Sequence, residues 1–269
     1  MRKESERYLE SNIFEGIVSL RAIMYAIDNG ISDRKIERIL YLKDNAVKRP
    51  KEYAWLKHSA ERYGFELVLC GIEDVDSFAI GTSHGGIIVF CGERSFPQGD
   101  SGAAVELIKK SRFFVMLDGI EDPYNFGYAL RSLYSQGADG IVLSERNWMT
   151  AAGVVCRSSA GASEMLPMIV SAGEALFDSF KAEGYKIVCA DLRESVSMYD
   201  AELSLPLLLI VGGEKRGISR SVLERSDINI RIDYARDFKA SLSAASAATV
   251  IGAEIFRQNR GLMRQAGSV

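Results

Sequence analysis

Five short apolar runs, Arg112–Leu117, Gly140–Leu143, Lys186–Ala190, Leu207–Val211 and Ile228–Ile232, recur through the second half of this chain. Helical stretches separate them near residues 126–136, 172–182 and 241–258. Alternation of strand and helix at this spacing implies a mostly parallel sheet covered on both faces. Ligands of such sheets sit at the carboxyl ends of the strands. The loops after Leu117, Ala190, Val211 and Ile232 are therefore the places to look for a site.

The first half carries a smaller α/β pattern. Apolar Ile13, Ile17, Leu20, Met24 and Ile27 predict a helix over residues 13–30, stopped by Asn29-Gly30. A strand is predicted at Ile36–Leu42 and a helix over 50–63, with Pro50 at its start and Gly64 at its end. Further strands are predicted at Phe65–Cys70 and Gly86–Phe90. The stretch Ser95–Gly102 is rich in Pro, Gly and Ser and reads as a linker. The expected organisation is thus a first domain over 1–96, a linker over 97–111 and a second domain over 112–269.

Composition removes several classes. With 47% hydrophobic and 26% charged residues, the chain is an ordinary globular sequence, and a net charge of −3 gives no global sign of a polyanion binder. Charge is nevertheless uneven. Between Arg34 and Lys57 there are eight Lys or Arg against three acids, which reads either as a solvated face or as a phosphate contact. The four cysteines are widely spaced, no CxxC occurs and there are only two histidines, so no metal site is expected and reduced cysteines of a cytoplasmic protein fit best. No apolar run approaches the roughly 20 residues that span a membrane, and residues 1–10 are mostly charged, unlike a signal peptide.

Two motifs are decoys. Gly81-Thr82-Ser83-His84-Gly85 has the GxSxG form of a nucleophile elbow, but a strand follows it and no histidine comes later to serve as base. Gly212–Gly217 has P-loop spacing, yet Ile218-Ser219 stand where the phosphate-binding lysine belongs. A glycine loop after a strand still lets backbone approach a ligand closely; a plain tight turn is the alternative.

Three segments fall at three strand ends of the second half. The first runs from Leu117 to Ser132 and contains Asp118, Asp122, Pro123, Asn125, Gly127 and Arg131. Asn125 is a candidate helix cap there, and Arg131 a candidate to reach back to the helix start. The second, Leu208–Ser219, contains Gly212, Glu214 and Gly217. The third passes from Ile230-Arg231-Ile232 to Ser241-Leu242-Ser243 and on to Ala248, a small-residue helix face.

Together these resemble the three motifs of the SpoU/TrmH family of the SPOUT superfamily: D-x-x-x-D-P-x-N-x-G-x-x-x-R, G-x-E-x-x-G and S-L-N-x-S-x-A. Ser158-Ser159-Ala160-Gly161-Ala162 is similar to the family's S-A-G-A stretch. The likeness covers about 112–260. Residues 13–96 are similar to the family's ribosomal-protein-like substrate-binding domain, with Ser83-His84-Gly85-Gly86 close to its S-H-Q-G. Two features depart: Ser243 stands where the family usually has Asn, a shorter group that cannot donate and accept like a carboxamide, and Tyr234–Lys239 lengthen the third segment.

The resemblance implies a carboxyl-terminal trefoil knot, a feature nearly absent from other proteins, and a homodimer with the RNA site completed across its interface. It implies S-adenosylmethionine as cofactor and a ribose 2′-hydroxyl of structured RNA, rRNA or tRNA, as substrate. Gly212, Glu214, Gly217, Ile232 and Leu242 fall at the cofactor positions, and Arg131, Asn125 and Ser243 at the reacting centre. Arginine is a poor base, its pKa exceeding about 12, so positioning the hydroxyl and its phosphate is the role expected of Arg131. Arg34, Lys35 and Arg38 become the expected RNA contacts of the first domain. Two alternatives stay open. A catalytically silent RNA-binding protein on the same fold is favoured by Ser243 and opposed by Asn125, Arg131 and Glu214; a nucleotide-binding α/β protein unrelated to RNA has only the glycine loop in support.

Overall fold

The computed structural model describes residues 12–120, 122–144, 147–171, 173–214 and 216–266. The chain divides into two compact units. One comprises the chain up to Ser95 together with Trp148–Met165; the other comprises Phe96–Asn147 and everything from Leu166 onward.

The first unit opens with β1 (Ile13–Glu15), α1 (Gly16–Asp28), β2 (Ile36–Leu42), α2 (Lys43–Lys48), α3 (Pro50–Tyr63), β3 (Glu66–Cys70), α4 (Ile72–Phe78) and β4 (Ile87–Cys91). Its sheet has the order β1-β4-β2-β3, with β4 antiparallel to both neighbours and β2 parallel to β3. The helix expected from residue 13 begins only at Gly16, because Ile13 and Phe14 pair with Phe90 and Val89 across β4. Gly16, at φ +80°, makes the turn from strand into helix. Pro50 and a left-handed Gly64 bound α3 as the sequence predicts.

The chain continues through α5 (Gly102–Lys110), β5 (Phe113–Asp118), α6 (Pro123–Ser135), β6 (Gly140–Leu143), α7 (Ala152–Ser158), α8 (Ala162–Met165), β7 (Met168–Val170), α9 (Glu174–Ala182) and β8 (Lys186–Ala190). It ends with β9 (Val196–Ser197), β10 (Leu207–Gly212), α10 (Arg220–Leu223), β11 (Ile228–Arg231) and α11 (Ala244–Ala266). The second unit's sheet has the order β7-β6-β5-β10-β8-β11-β9, and every pairing in it is parallel. Strands β5, β6 and β10 are buried along nearly their whole length, as strands covered on both faces must be. Phe114, Phe180 and Tyr185 meet edge-on in the core, and the Tyr185 hydroxyl donates to the Ile108 carbonyl at 3.0 Å.

Two expectations about organisation need correcting. The stretch 97–111 is not a free tether: Gln98 bridges to Val170, and α5 buries Ala104 and Ile108 in the second unit's core. Turn-forming residues at Ser95–Gly102 mark a bend, and the helix after them is amphipathic. The segment 148–165, expected within the second domain, packs in the first unit instead. Gly153 lies so close to the Ile13 carbonyl that no Cβ fits, and Gly161 lies against Ala22 of α1. The SSAGA stretch is thus the α7–α8 turn of the first unit, with Ala160 and Gly161 at positive φ.

Candidate functional site

Strands β10, β8 and β11 are neighbours in the parallel sheet, so the loops at their carboxyl ends converge. The loop after β10 is a tight turn. The Gly217 amide donates to the Gly213 carbonyl at 2.9 Å, and Gly217 takes φ +63°. A Cβ on Gly213 would collide with the Gly119 carbonyl, and one on Gly212 with the backbone of Gly217 and Ile218. Glycine is therefore required twice by close backbone approach and once by conformation.

A cavity of about 230 Å³ opens where these loops meet. All five residues expected at a cofactor site line it: Gly212, Glu214, Gly217, Ile232 and Leu242. Its walls combine bare glycine backbone with the aliphatic side chains of Ile230, Ile232, Leu242 and Ile251. The carboxylates of Asp191 and Glu214 add negative charge. A smaller recess, lined by Ile120, Asp122, Asn125, Glu214 and Ala244, shares Glu214 and Ala244 with the cavity. The three motif segments therefore meet at one place.

Local chemistry fixes several of these residues. Asp122, not Asn125, caps α6, its carboxylate accepting from the Asn125 amide at 2.8 Å. Glu214 accepts from the Ala244 amide at 3.3 Å, tying the glycine loop to the start of α11. Ser243 accepts from the Ser246 amide at 3.2 Å, the bond of a helix N-cap. Ser and Asn cap helices about equally well, so the departure at Ser243 keeps this role. Burial pushes the Asp118 carboxyl above its ordinary value, against a hydrogen bond from the Ser219 backbone. Burial also pushes Asp191 up, but hydrogen bonds from the Arg193 guanidinium and amide outweigh it and leave the carboxyl below its ordinary value.

Arg131 is exposed and lines neither cavity nor recess. Six residues along a helix turn the side chain about 120° away from Asn125, which is why the two do not meet within one chain. The Arg131 side chain has no ion pair or hydrogen bond among the described residues.

Residues 112–253, more than half of the chain, match the model of the SpoU rRNA Methylase family. The chain belongs to this family. Among SpoU/TrmH relatives, YacO of Bacillus subtilis, assigned to the TrmH family of tRNA/rRNA methyltransferases, is 28% identical over 229 residues, 84% of this chain and 90% of its own length. A Staphylococcus saprophyticus protein of the same assignment is 29% identical over 177 residues, covering 65% of this chain and 71% of its own. Among solved structures, an AdoMet-bound rRNA methyltransferase from Sinorhizobium meliloti superposes with a TM-score of 0.76 at 20% identity, covering 97% of this chain and 90% of its own. The SpoU methyltransferase AviRb from Streptomyces viridochromogenes, in complex with AdoMet, gives 0.75 at 19% identity, with 97% and 98% coverage. At such identities the likeness is one of fold.

The residues expected to contact RNA divide within this SpoU chain. Arg34 is buried: its guanidinium bonds Glu164 at 2.9 and 3.4 Å, the Asn12 side chain at 3.1 Å and the Gly92 carbonyl at 2.8 Å. It is a structural cation and is corrected as an RNA contact. Lys35 is exposed, and Arg38 lies over the Phe90 ring at 4.4 Å, partly buried. The other exposed cations of the stretch are Lys43, Lys48, Lys51 and Lys57, on α2 and α3, and Arg49 between them, paired with Glu52 at 3.5 Å. Sequence reasoning missed Asp191, Leu192 and Tyr234 as cavity residues. The available signal was their position just beyond strand ends already singled out. Among the described residues, no helix is long and apolar enough to cross a membrane, and all four cysteines are free thiols.

Proposed function

We propose that this chain transfers a methyl group from S-adenosylmethionine to a ribose 2′-hydroxyl of structured RNA, rRNA or tRNA, in the cytoplasm. The observation that carries the reading is the convergence of all three motif segments on one cavity and its adjoining recess. The cavity suits the cofactor chemically: glycine backbone for the adenine edge, aliphatic faces for its rings, and carboxylates near the sulfonium and ammonium of its methionyl group. When bound, S-adenosylmethionine supplies an electrophilic methyl on a sulfonium.

The chain's own residues then have separable tasks. Asn125 borders the recess beside Glu214, where an incoming hydroxyl can be hydrogen-bonded and aligned. Glu214 holds the glycine loop against α11. Arg131 serves the site of a second copy, orienting the phosphate next to the reacting ribose; its exposure and lack of partners support a role in a homodimer. The loops after β8, β10 and β11 form the trefoil knot of the family in this reading. Lys35 and the lysines of α2 and α3 provide phosphate contacts.

Calorimetry with S-adenosylhomocysteine tests the cofactor site, with micromolar affinity expected, on the order of −8 kcal/mol. Gly212→Val abolishes the heat, since its side chain would run into the Gly217–Ile218 backbone. Tritiated methyl incorporation into total RNA from cells deleted for the gene tests the reaction. Cofactor binding with incorporation at background would leave a silent RNA binder.

A further inference from the structure

We infer that the loop Asp233–Ala240, between β11 and α11, is a stacking platform that holds an unpaired RNA base beside the ribose to be methylated, with Phe238 as the platform and Arg236 as its phosphate contact. The inference rests on the proposed RNA reading and adds to it the way a single-stranded nucleotide is seized.

The loop joins two segments of the cavity wall, leaving from Ile232 and returning at Ser241-Leu242. Tyr234 also lines the cavity, and its hydroxyl accepts from the Leu242 amide at 3.1 Å, bracing the two ends of the loop against each other. Phe238 packs on the outer side of this brace, its ring centroid 6.1 Å from that of Tyr234 at 57°. Despite that contact Phe238 is 58% exposed, far more than a ring fulfilling a core role.

The charges of the loop are arranged to complement a nucleic acid. Asp233 is paired with Arg231 at 3.0 Å and Asp237 with Lys239 at 2.7 Å. Both acids are thereby neutralised, and Arg236 is left exposed without an ion pair among the described residues. An open aromatic face beside an unneutralised guanidinium, continuous with a cavity wall, matches single-stranded RNA, whose splayed bases stack on aromatic rings while cations follow the phosphates. Stacking tolerates any base, because each has a π-face. A cofactor lid is the competing use of such a loop, but it is Tyr234 and not Phe238 that lines the cavity.

The test uses the full chain and three variants, Phe238→Ala, Phe238→Trp and Arg236→Ala, with a single-stranded oligoribonucleotide of about 12 nucleotides and the same strand in duplex. Phe238→Ala is expected to bind the single strand roughly tenfold more weakly while binding S-adenosylhomocysteine unchanged. Phe238→Trp restores the affinity, and its indole fluorescence is quenched by the single strand but not by the duplex. Arg236→Ala weakens binding and lowers its salt dependence by about one released counterion. Undiminished single-strand affinity in Phe238→Ala would overturn the platform. So would equal quenching by duplex, or an equal loss of cofactor affinity, which would make the loop a lid. None of these arms needs turnover. If the wild type transferred no methyl while Phe238→Trp was still quenched by single strand, the catalytic reading would fail and the platform would stand.

Discussion

Arg34 in the first unit and Arg131 in the second are both arginines placed near the functional part of a motif-rich chain, and they have opposite fates. Arg34 is 4% exposed, and its hydrogen bonds reach Glu164, Asn12 and the Gly92 carbonyl. Arg94 adds a second guanidinium that reaches the Ser163 and Glu164 carbonyls. Arg131 lies on the exposed side of α6 with its side chain unengaged. Burying an arginine costs several kcal/mol unless every donor is met, so the first cluster is committed to architecture. The second arginine costs the fold almost nothing and is free for a ligand. What separates them is a buried carboxylate: Arg34 has one, 130 positions away in the chain, and the Arg131 side chain has none among the described residues.

Breaking the buried pair should have the largest effect. Glu164→Ala leaves the buried Arg34 guanidinium without its carboxylate, and the loss of stability expected is about 3–5 kcal/mol. Calorimetric unfolding would register it as a lowered transition, whereas Lys35→Ala, on an exposed side chain, should stay within about 0.5 kcal/mol of wild type. Arg131→Ala reverses the pattern. Its stability should likewise stay within about 0.5 kcal/mol and its cofactor affinity unchanged, while methyl transfer falls about a hundredfold or more, as for a group that acts mainly in the transition state. A variant that unfolds, or turns over normally, would erase the contrast.

The parallel sheet was legible because its strands are short apolar runs: Gly140–Leu143 and Lys186–Ala190 stand where the sequence puts them. The five cavity residues were named through the resemblance to the family's motifs; Gly212 and Ile232 stand at the ends of such runs, whereas Leu242 lies ten residues beyond one. Two kinds of feature were hidden. Ile13 sits in helical register with Ile17 and Leu20 yet belongs to β1, because pairing with β4 overrides a local pattern. The placement of Trp148–Met165 depends on contacts with residues more than a hundred positions earlier, which no local signal reports. The basic stretch from Arg34 to Lys57 illustrates the same limit, since only burial distinguishes its structural arginine from its surface lysines.

Two smaller effects sharpen the comparison at Ser243, which lies between the cavity-lining Leu242 and Ala244 without lining the cavity itself. Ser243→Ala removes the cap of α11 and should lower stability by about 1 kcal/mol. Ser243→Asn should change it by only a few tenths of a kcal/mol, since the two residues cap about equally well. Thermal melts of the three proteins side by side would show this, and a large loss in Ser243→Asn would mean that the hydroxyl is needed for more than capping.

The smallest effect concerns acid. The carboxyl of Asp191 titrates below its ordinary value when folded, so its contribution is fully present above the ordinary carboxylate range and is lost as pH falls through the folded value. Melting profiles taken between about pH 5 and pH 3 should fall less steeply for Asp191→Asn than for wild type. Parallel profiles would remove the Asp191–Arg193 pair from the forces shaping the loop.

The return of residues 148–165 to the first unit has a consequence during synthesis. The first unit cannot complete its buried cluster when Ser95 leaves the ribosome, because Glu164 has not yet been made. The seventy residues from Phe96 to Met165 must follow, which takes about 4 to 14 s at typical rates of translation. Throughout that interval Arg34 waits without its carboxylate and Arg94 without the Ser163 and Glu164 carbonyls, while β5 and β6 of the other unit are being made. A nascent chain stalled short of residue 164 should therefore be degraded readily by added protease across its first ninety-five residues. One stalled well beyond residue 165, with that segment clear of the exit tunnel, should resist. Shuffling the two units by recombination at a single point would separate the same partners, so the unit that looks most like a detachable module is stitched to its neighbour at three places in the chain.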